Sequence, residues 1–447
     1  MAAHFSDIDE ENVDPLDGWE SPRVHGYSAV PQASADAAGV TTVLDNAAPT
    51  GPGSTAPQQR TVVRPDAGKP LQQAAQPISA SRLGTQAATD RGRNDDNAGD
   101  GTAAGPSAPR AHKRARHGCL SVFLWLAFLV VLAFMALRCL PSEYANGRAV
   151  PELASFVPLM FAPLLVCLAF SLLWRRRVLA FCTVAALAVM GWWHYGYFIP
   201  TAQVSASAKA AATTSNAEDS AARIMTLNTC NGNASATEVV ALARSQHVEI
   251  LCLQELTDDF VEELEEAGLS EYLPYSVVSA GASEINNGGR NGIWTLAPMS
   301  DTSRNLLPIE TSSMPAASIA IGGVTVRVVS VHPNSPVRGA QDLWERGLSV
   351  IGSLSEYDHS YLIMGDFNST WDHDRFRDLL GTSFVDAGEQ SGQGYHMTYP
   401  SNSLIPSLIE IDHILYPKDS SIVVSELETQ TVAGTDHKAL LGTLEVK

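Results

Sequence analysis

The sequence predicts an α/β layered domain in its C-terminal half, preceded by three apolar helices that span a membrane and by a disordered tail. Two observations support this prediction. Short apolar strands alternate with helical segments after about residue 223, and three long apolar runs lie between residues 118 and 199. A mixture of strands, helices and hairpins is typical of layered α/β domains rather than of sandwiches or helix bundles.

The N-terminal segment, residues 1–110, is rich in Ala, Pro, Gln, Gly, Asp and Ser and contains few aromatic residues. A segment of this composition cannot bury enough apolar surface to offset the loss of chain entropy. We therefore predict a disordered tail. A small domain without a clear apolar pattern is the alternative.

Three apolar runs follow, Gly118–Leu137, Leu153–Trp174 and Val178–Ile199, and none of them contains Asp, Glu, Lys or Arg. Each is close to the length of about 20 residues that crosses the hydrocarbon core of a bilayer. A buried helix of a soluble protein is the alternative for any one run. Three such runs in succession favour three transmembrane helices, with residues 118–199 in contact with the lipid bilayer.

The distribution of Lys and Arg predicts the orientation of these helices, because basic residues stay on the cytoplasmic side. Seven basic residues precede the first run or join the second run to the third, and three lie on the other side. We therefore expect a cytoplasmic N-terminus and a cell-membrane protein whose C-terminal domain is extracytoplasmic. No cleavable signal peptide is recognisable at Met1, so the first span is expected to serve as an uncleaved anchor.

After the apolar runs, residues 200–222 are rich in Ala, Ser and Thr and predict a flexible linker to the domain at 223–447. Apolar patterning within the domain predicts strands and helices in alternation. The predicted strands are 224–227, 250–253, 275–279, 292–295, 317–321, 325–331, 361–364, 411–416, 422–429 and 440–446, and the predicted helices are 236–246, 258–267, 337–356 and 372–380.

The C-terminal half is strongly acidic. The whole chain has a net charge of −19, and the residues from 201 onward carry 13 Lys and Arg against 32 Asp and Glu. A nucleic-acid-binding protein usually displays a basic stripe that displaces counterions, so nonspecific attraction of a polyanion is excluded. A phosphate substrate would need a local cation, and a divalent metal ion is the natural candidate where carboxylates converge.

Polar side chains stand at or near the ends of five predicted strands, where loops of α/β sheets gather site residues. A single acidic residue in such a place is more often a turn former or helix cap, so the joint occurrence carries the prediction. The residues are Asn228, Glu255, His332, Asp366 and Asp412, with the cluster Thr435, Asp436 and His437 before the last strand.

Six motifs occur in order between Ile224 and His437: LNTCNGN, LCLQE, VSVHP, IMGDFN, EIDHIL and GTDH. Together they resemble the endonuclease/exonuclease/phosphatase superfamily, which includes DNase I-like nucleases, sphingomyelinases and inositol-phosphate phosphatases. The chain looks like a membrane-anchored, bacterial-type member. The resemblance implies a four-layered α/β sandwich, in which two mixed β-sheets pack face to face with helices outside.

The resemblance also implies a metal site. Glu255 matches the metal-binding Glu of the family, Asn228 its partner near the metal and the phosphate, and Asp436 a further carboxylate close to the metal. Mg²⁺ prefers oxygen ligands and keeps several waters, which suits such a set. We expect Mg²⁺, with Mn²⁺ or Ca²⁺ as alternatives.

The remaining residues match the family's catalytic positions. Asp366 matches the residue that orients or deprotonates the attacking water, and Asn368 the neighbour that binds the phosphoryl oxygen. His437 resembles the family's characteristic histidine, whose tautomer Asp412 would fix. His332 corresponds to a second histidine that acts as acid for the leaving group, although a structural role in capping the loop HPNSP is the alternative.

Arg290 and Asn291 are further candidates for contact with the phosphate of the substrate. A surface charge is an equal interpretation of Arg290. Two changes from the family pattern concern the last motif: Thr435 stands where Ser is usual, and Lys438 follows the histidine where many relatives have Pro.

The resulting hypothesis is a metal-dependent hydrolase of phosphodiesters or phosphomonoesters that uses in-line attack of water. Its substrate would be a nucleic acid, a phospholipid head group or an inositol phosphate. The alternative is a catalytically inactive domain that binds a phosphorylated ligand at the membrane surface. A transporter is disfavoured because the three apolar runs contain no charged residue that could form an ion path.

Overall fold

A computed structural model of the chain describes residues 118–141, 144, 149–279, 289–401 and 404–447. The disordered tail predicted for residues 1–110 lies outside these residues, and so do the basic residues that precede the first apolar run.

The apolar runs form a helical region of four helices and one 3-10 turn. They are α1 (Gly118–Arg138), α2 (Val150–Ala154), the turn Val157–Met160, α3 (Phe161–Leu173) and α4 (Arg177–Trp193). The three longer helices share a buried apolar core that includes Val131, Leu164 and Met190. Apolar side chains also point outward, and Phe181 and Trp192 are 75% and 79% exposed. The region is therefore apolar on its outer surface as well as in its core.

The predicted second and third spans are shorter in the structure than in the sequence analysis. Among the described residues, only α1 has both the length and the hydropathy to cross a membrane, whereas Val157–Leu173 and Arg177–Trp193 are apolar but shorter. The third run leaves its helix at His194, where the chain turns and contacts the C-terminal domain. The part of the chain with known placement thus supports one full-length span.

The C-terminal domain contains two six-stranded sheets within the described residues. The first has the order β11 (Ile422–Thr431), β12 (Lys438–Val446), β1 (Ala221–Asn228), β2 (Val248–Gln254), β4 (Asn291–Thr295), β3 (Tyr275–Val278). The second has the order β5 (Ser300–Ser303), β6 (Ala316–Ile321), β7 (Val324–Val331), β8 (Ser360–Asp366), β10 (Asp412–Pro417), β9 (Phe384–Asp386). In each sheet one pair is parallel, β1 with β2 and β7 with β8, and the other pairs are antiparallel.

The two sheets pack face to face, and helices cover their outer faces. Between the sheets lies a core that includes Ile224 and Leu440 from the first sheet and Met364 from the second. Helices α6 (Ala236–Ser245) and α7 (Asp258–Glu266) pack outside the first sheet, and α9 (Gln341–Gly352) and α10 (Asp374–Leu380) outside the second. The central strands are buried on both faces, which explains their nearly continuous apolar sequences. This arrangement confirms the expectation of two mixed sheets flanked by helices.

Several elements differ from the sequence prediction. The helix expected at 337–356 begins only at Gln341, because Gly339 adopts a left-handed φ of 91° that ends the preceding turn. Strands β5 and β9 were not predicted, since SDTS is wholly polar and FVD is too short to show alternation. The short helices α5 (Ala206–Ala211), α8 (Leu269–Tyr272) and α11 (Ala387–Gln390) were also missed.

The segment that joins the helical region to the domain is packed rather than free. The Val204 amide donates to Ser425 Oγ at 3.0 Å, and the Ser205 amide donates to Glu445 Oε2 at 2.7 Å. Ser205 also accepts a hydrogen bond from the Ala208 amide at 3.1 Å and so begins α5. The expectation of a flexible tether at 200–222 is therefore wrong, because its polar side chains cap a helix and bind the domain.

A buried charge cluster joins the helical region to the domain. The carboxylate of Asp372, just before α10, lies 2.7 Å from Arg138 Nε at the end of α1 and 3.2 Å from His194 Nε2 after α4. The Arg138 guanidinium also lies over the Trp193 ring, 4.7 Å from its centroid. Asp372 is 1% exposed and Arg138 is 7% exposed, so the pair is shielded from water.

Hydrogen bonds to the backbone of the helical region surround this cluster. Trp371 Nε1 donates to the carbonyl of Trp193 at 3.0 Å, and His373 Nε2 donates to the carbonyl of Pro151 at 2.8 Å. Three consecutive residues of one loop, 371–373, thus bind three separate places in the helical region. Such a contact fixes the orientation of the domain on the helices.

We expect Asp372→Asn to lower the free energy of unfolding of the full chain by about 3–5 kcal/mol, because it leaves the buried Arg138 without a counter-charge. Urea titration of the protein in detergent micelles measures the change. Asp378→Asn, at an exposed carboxylate that lies 3.6 Å from Arg375, is the matched control and should stay within about 0.5 kcal/mol of the wild type. A loss below about 1 kcal/mol in Asp372→Asn would contradict a structural role for the buried pair.

Candidate active site

Strand ends from both sheets meet at one edge of the domain. Asn228, the last residue of β1, pairs in register with Gln254, the last residue of the parallel strand β2. In the second sheet, Asp366 at the end of β8 pairs with Asp412 at the start of the antiparallel strand β10. Because the sheets stack face to face, these ends and the loops that follow them surround one cleft.

Asn228 connects the two sheets at this cleft. Its Nδ2 donates to Glu255 Oε1 of the first sheet and to Asp366 Oδ2 of the second, at 3.0 Å each. Glu255 Oε2 also accepts from the Asn231 amide at 2.7 Å. Asn228 Oδ1 accepts from the Cys230 amide at 2.9 Å, which leaves one lone pair of that oxygen for a ligand.

His437 and Asp412 form a hydrogen-bonded pair beside Asp366. His437 Nδ1 lies 2.8 Å from Asp412 Oδ2, and His437 Nε2 lies 3.6 Å from Asp366 Oδ2. Asp412 is fully buried and His437 is 4% exposed, so the carboxylate fixes the ring from behind while Nε2 faces the cleft. This is the orientation that the sequence analysis expected of the two residues.

Thr435 holds the strand start on which His437 lies. Its hydroxyl donates to the carbonyl of Asn228 at 2.7 Å and accepts from the His437 amide at 3.1 Å. Thr435 stands where the family usually has Ser, and its hydroxyl ties His437 to the end of β1.

His332 lies between the two central carboxylates. Its Nε2 is 3.6 Å from Glu255 Oε1 and 3.5 Å from Asp366 Oδ2. Burial lowers the pKa of His332, and this effect outweighs the opposing charge of Asp366. The ring is therefore neutral at neutral pH, and its Nε2 faces both carboxylates.

Asn368 and Asp436 also line the cleft. The Asn368 amide donates to Asp366 Oδ1 at 2.7 Å, and Asn368 Nδ2 donates to the carbonyl of Pro333 at 3.1 Å. Asp436 lines the cleft next to His437, and its carbonyl accepts from the Ser401 amide at 2.7 Å.

The local backbone is strained where it presents these side chains. Glu255, Asn368, Cys230 and Asn231 all have left-handed φ values, between 48° and 56°. Such conformations are uncommon outside glycine and collect at functional sites. At Gly365, before Asp366, a Cβ atom would lie 2.0 Å from the carbonyl oxygen of Val331, so only glycine lets β8 approach β7 this closely.

Two of the residues predicted to bind substrate do not line the cleft among the described residues. Arg290 forms an ion pair with Asp258 and donates from Nε to the carbonyl of Ser279 at 3.3 Å. Asn291, the first residue of β4, is buried, and its Nδ2 donates to the carbonyl of Ser313 at 2.6 Å. Both side chains are engaged in contacts with their neighbouring loops instead of with the cleft.

The structure adds cleft residues that the sequence analysis did not identify. Tyr399 lies beside His437, with ring centroids 5.1 Å apart. Glu152, Ser155 and Phe156 of the helical region also line the cleft. No local motif marks these positions, since their place depends on how the helical region contacts the domain.

The model of the Endonuclease/Exonuclease/phosphatase family matches residues 225–437. This part of the chain belongs to that family. The match begins in β1, ends at His437 and so includes every residue of the cleft that the domain contributes. Members of the family hydrolyse phosphoester bonds, and the chain is a hydrolase of this kind.

Several solved structures are similar to about half of this chain. The complex of D. rerio TDP2 with a single-strand DNA product is 17% identical, and the match covers 51% of this chain and 100% of that chain at a TM-score of 0.41. The human Nocturnin catalytic domain with bound sulfate anion is 15% identical, and the match covers 52% of this chain and 97% of that chain at a TM-score of 0.39. An endonuclease/exonuclease/phosphatase family protein from Leptotrichia buccalis is 14% identical, and the match covers 50% of this chain and 99% of that chain at a TM-score of 0.40. No curated protein sequence matches the chain.

The cleft of this family member fits a divalent cation. Its volume is about 470 Å³, and its described lining contains four carboxylates, Glu152, Glu255, Asp366 and Asp436, but no Lys or Arg. A phosphate group would be repelled from such a lining unless a cation were also bound. The buried Oδ1 of Asp412 also lacks a hydrogen-bond partner among the described residues.

Asp366, Asp412 and His437 bring ligand atoms within 4.8 Å of one another and could hold a metal ion. However, Asp412 Oδ2 is already bound to His437 Nδ1, which suits proton handling better than ligation. Glu255 and Asp436 line the same cleft and Asn228 donates to Glu255, so these three residues could supply oxygen ligands to a divalent ion.

Electrostatics sets the protonation of the central residues. Burial alone would lower the pKa of His437, but the charges of Asp412 and Asp366 and the hydrogen bond to Asp412 raise it to about 10. Burial, together with the charge of Asp412, raises the pKa of Asp366. His437 is therefore protonated at neutral pH, while Asp366 has more affinity for a proton than an exposed carboxylate.

A second buried histidine supports the strand that carries Asp412. His413 Nδ1 lies 3.1 Å from Asp386 Oδ2, and its Nε2 lies 2.9 Å from the carbonyl of Ser369. A carbonyl only accepts, and an ionised carboxylate only accepts, so both ring nitrogens donate and the ring is a cation. Burial opposes this charge, but Asp386 outweighs it and raises the pKa of His413 to about 9.

We expect the contribution of His413 to stability to be complete below pH 6.5 and to be lost as the pH rises to about 9, because its pKa is higher in the folded state. The loss should be on the order of 3 kcal/mol. Thermal unfolding between pH 6 and 9.5 measures it. His413→Gln is the comparison, since Glu249 and Glu389 also have raised pKa values and titrate in the same range. An identical pH dependence in wild type and variant would contradict the assignment.

Proposed function

We propose that the protein is a membrane-anchored, Mg²⁺-dependent phosphoesterase whose catalytic domain lies outside the cytoplasm. One observation carries the enzymatic part of this proposal: a cleft without Lys or Arg, among the described residues, holds converging carboxylates beside a hydrogen-bonded Asp412–His437 pair. A module that only binds phosphate would be expected to use basic side chains, and it would have no need for a proton-handling pair.

The chain's own residues can perform in-line hydrolysis. Asp366, whose pKa is raised, orients the attacking water and accepts a proton from it. Protonated His437 faces the same space through Nε2 and donates to a phosphoryl oxygen, while Asp412 keeps its ring in place. Asn368 is held by Asp366 and by the carbonyl of Pro333 at the rim, within reach of a second phosphoryl oxygen.

Glu255, with Asn228 and Asp436, would hold the divalent ion. A bound Mg²⁺ supplies charge that offsets the carboxylates and draws electron density from the phosphate. His332, neutral and placed between Glu255 and Asp366, orients both carboxylates. We therefore assign it a positioning role, together with delivery of a proton to the leaving group when it becomes protonated.

Hydrolysis of bis-p-nitrophenyl phosphate by the full chain in detergent micelles should require Mg²⁺ and stop on addition of a chelator. Glu255→Gln should lower kcat/KM by about 10²-fold or more, because it removes the charge that binds the ion while keeping its shape. Glu262→Gln, at an exposed position of α7, is the matched control and should retain full activity.

Activity that survives both the chelator and Glu255→Gln would rule out the metal site. Complete inactivity of a folded wild-type chain toward this ester, toward a nucleic acid, toward sphingomyelin and toward inositol phosphates would instead favour the inactive, phospholigand-binding alternative.

The arrangement of the helices supports the proposed topology. The ends of α1 and α4 that contact the domain lie near Arg138 and Trp193, whereas Arg175, Arg176 and Arg177 lie at the opposite end of α3 and α4. A helix of 17 residues, such as α4, is about 25 Å long. The basic turn and the domain are thus separated by nearly the thickness of a hydrocarbon core. Under the positive-inside rule, a basic turn on the cytoplasmic side places the domain on the outer side.

Epitope tags test this topology. A tag after Lys447 should bind antibody on intact cells, whereas a tag before Met1 should bind only after the membrane is permeabilised, because an odd number of spans places the termini on opposite sides. The two tagged chains are each other's control. Accessibility of both tags on intact cells, or of neither, would contradict an odd number of spans.

A further inference from the structure

One wall of the catalytic cleft comes from the helical region rather than from the catalytic domain. Glu152 of α2, and Ser155 and Phe156 just after it, line the same cleft as Glu255, Asp366 and His437. These three residues lie between the ends of the apolar helices α1 and α3. A substrate in the cleft therefore contacts a segment that the proposed topology places at the outer surface of the bilayer.

This wall is built into the fold. His373 Nε2 donates to the carbonyl of Pro151 in α2, and the buried Asp372–Arg138 pair fixes the end of α1 beside it. On the other side of the cleft, Glu152 Oε1 lies 3.6 Å from Arg338 Nε, next to Val337. The wall is thus held from the domain loop 371–373 and from the loop that carries Val337.

Apolar side chains also line the cleft. Val337 is 52% exposed, and Phe156 is partly buried. Together they give an acidic, polar cleft an apolar border.

We infer that the substrate is a phosphoester borne by a lipid, with its phosphate beside Glu255 and His437 and its acyl or alkyl chain along Phe156 and Val337. This inference rests on the proposed function. A freely soluble phosphoester would use the acidic floor of the cleft but would have no need for a wall supplied by apolar helices. A lipid would use both the acidic floor and this wall. Its phosphate and its chain lie in different environments, polar and apolar, at the membrane surface where the wall is placed. Burial of the chain against the apolar border stabilises the complex.

Two chromogenic diesters with the same phosphate group separate the possibilities. Methyl p-nitrophenyl phosphate has no chain, and hexadecyl p-nitrophenyl phosphate has a long one. The full chain, with Mg²⁺ and in micelles of an uncharged detergent, should hydrolyse the hexadecyl ester with a kcat/KM at least about tenfold higher, the effect of burying about two methylene groups. Phe156→Ser and Val337→Ser should each reduce this ratio severalfold.

Phe198→Ser is the matched control, because Phe198 is 53% exposed, lies after α4 and does not line the cleft. It should leave the ratio of the two kcat/KM values unchanged. Such a result would show that losing a phenyl ring outside the cleft does not alter the preference that arises from enrichment of the hexadecyl ester in micelles. Equal kcat/KM values for the two esters, or a ratio that Phe156→Ser and Val337→Ser leave intact, would overturn the inference but not the proposed function. Hydrolysis of neither ester would overturn this inference, and inactivity toward bis-p-nitrophenyl phosphate, nucleic acid, sphingomyelin and inositol phosphates as well would overturn the proposed function with it.

Discussion

The side-chain amide of Asn228 makes the contact on which the whole site depends. Its two hydrogen bonds join Glu255, which follows β2 in the first sheet, to Asp366, which ends β8 in the second. Gln254 adds a parallel link, since its Nε2 donates to Ser330 Oγ of β7 at 3.0 Å. Stacking of the two sheets brings the strand ends to one edge. The hydrogen bonds of these side-chain amides then set the distance between the carboxylates at that edge. Apolar packing alone cannot do this, because it has no direction.

Buried carboxylates that lie close together repel one another. In this site, protonated histidines offset part of that repulsion. Asp412 and Asp366 share the positive charge of His437, and the raised pKa of that histidine reflects the attraction of both. Asp386 is balanced in the same way by His413, one residue after Asp412. The pairs Asp412–His437 and Asp386–His413 each balance one negative charge with one positive charge, and the excess negative charge lies on the cleft side, at Asp366, Glu255 and Asp436. A divalent ion would be attracted to that side and not to the interior of the domain.

The sequence could predict the domain side of the site because its residues lie in short motifs at strand ends. GDFN and TDH follow or precede apolar stretches whose length identifies a strand, and sheet geometry then brings their ends together. Arg138 and Asp372 had no such signal. Arg138 was counted only as a charge beside an apolar run, and Asp372 was placed at the start of a predicted helix, although the two form a buried pair. Contacts between residues so far apart in the chain leave no periodic pattern in the sequence. The packing of the helical region on the domain, which brings Phe156 to the cleft, could therefore not be predicted. For Arg290 the sequence left two interpretations open, a phosphate contact and a surface charge, because a basic residue near a strand fits both; in the structure it pairs with Asp258.

The packed connection at 200–222 bears on the membrane attachment proposed for this enzyme. A flexible tether would let the cleft sample many heights and orientations above the bilayer, and a segment of about 20 residues would reach roughly 25 Å on average. Here the Val204 and Ser205 amides bind the domain, and Asp372 binds both Arg138 and His194. The entropy of orienting the cleft is therefore lost once, during folding, instead of at each encounter with a substrate. Such preorganisation brings no advantage for a solute that arrives from any direction. It favours a substrate that is itself confined to the membrane surface proposed for this protein.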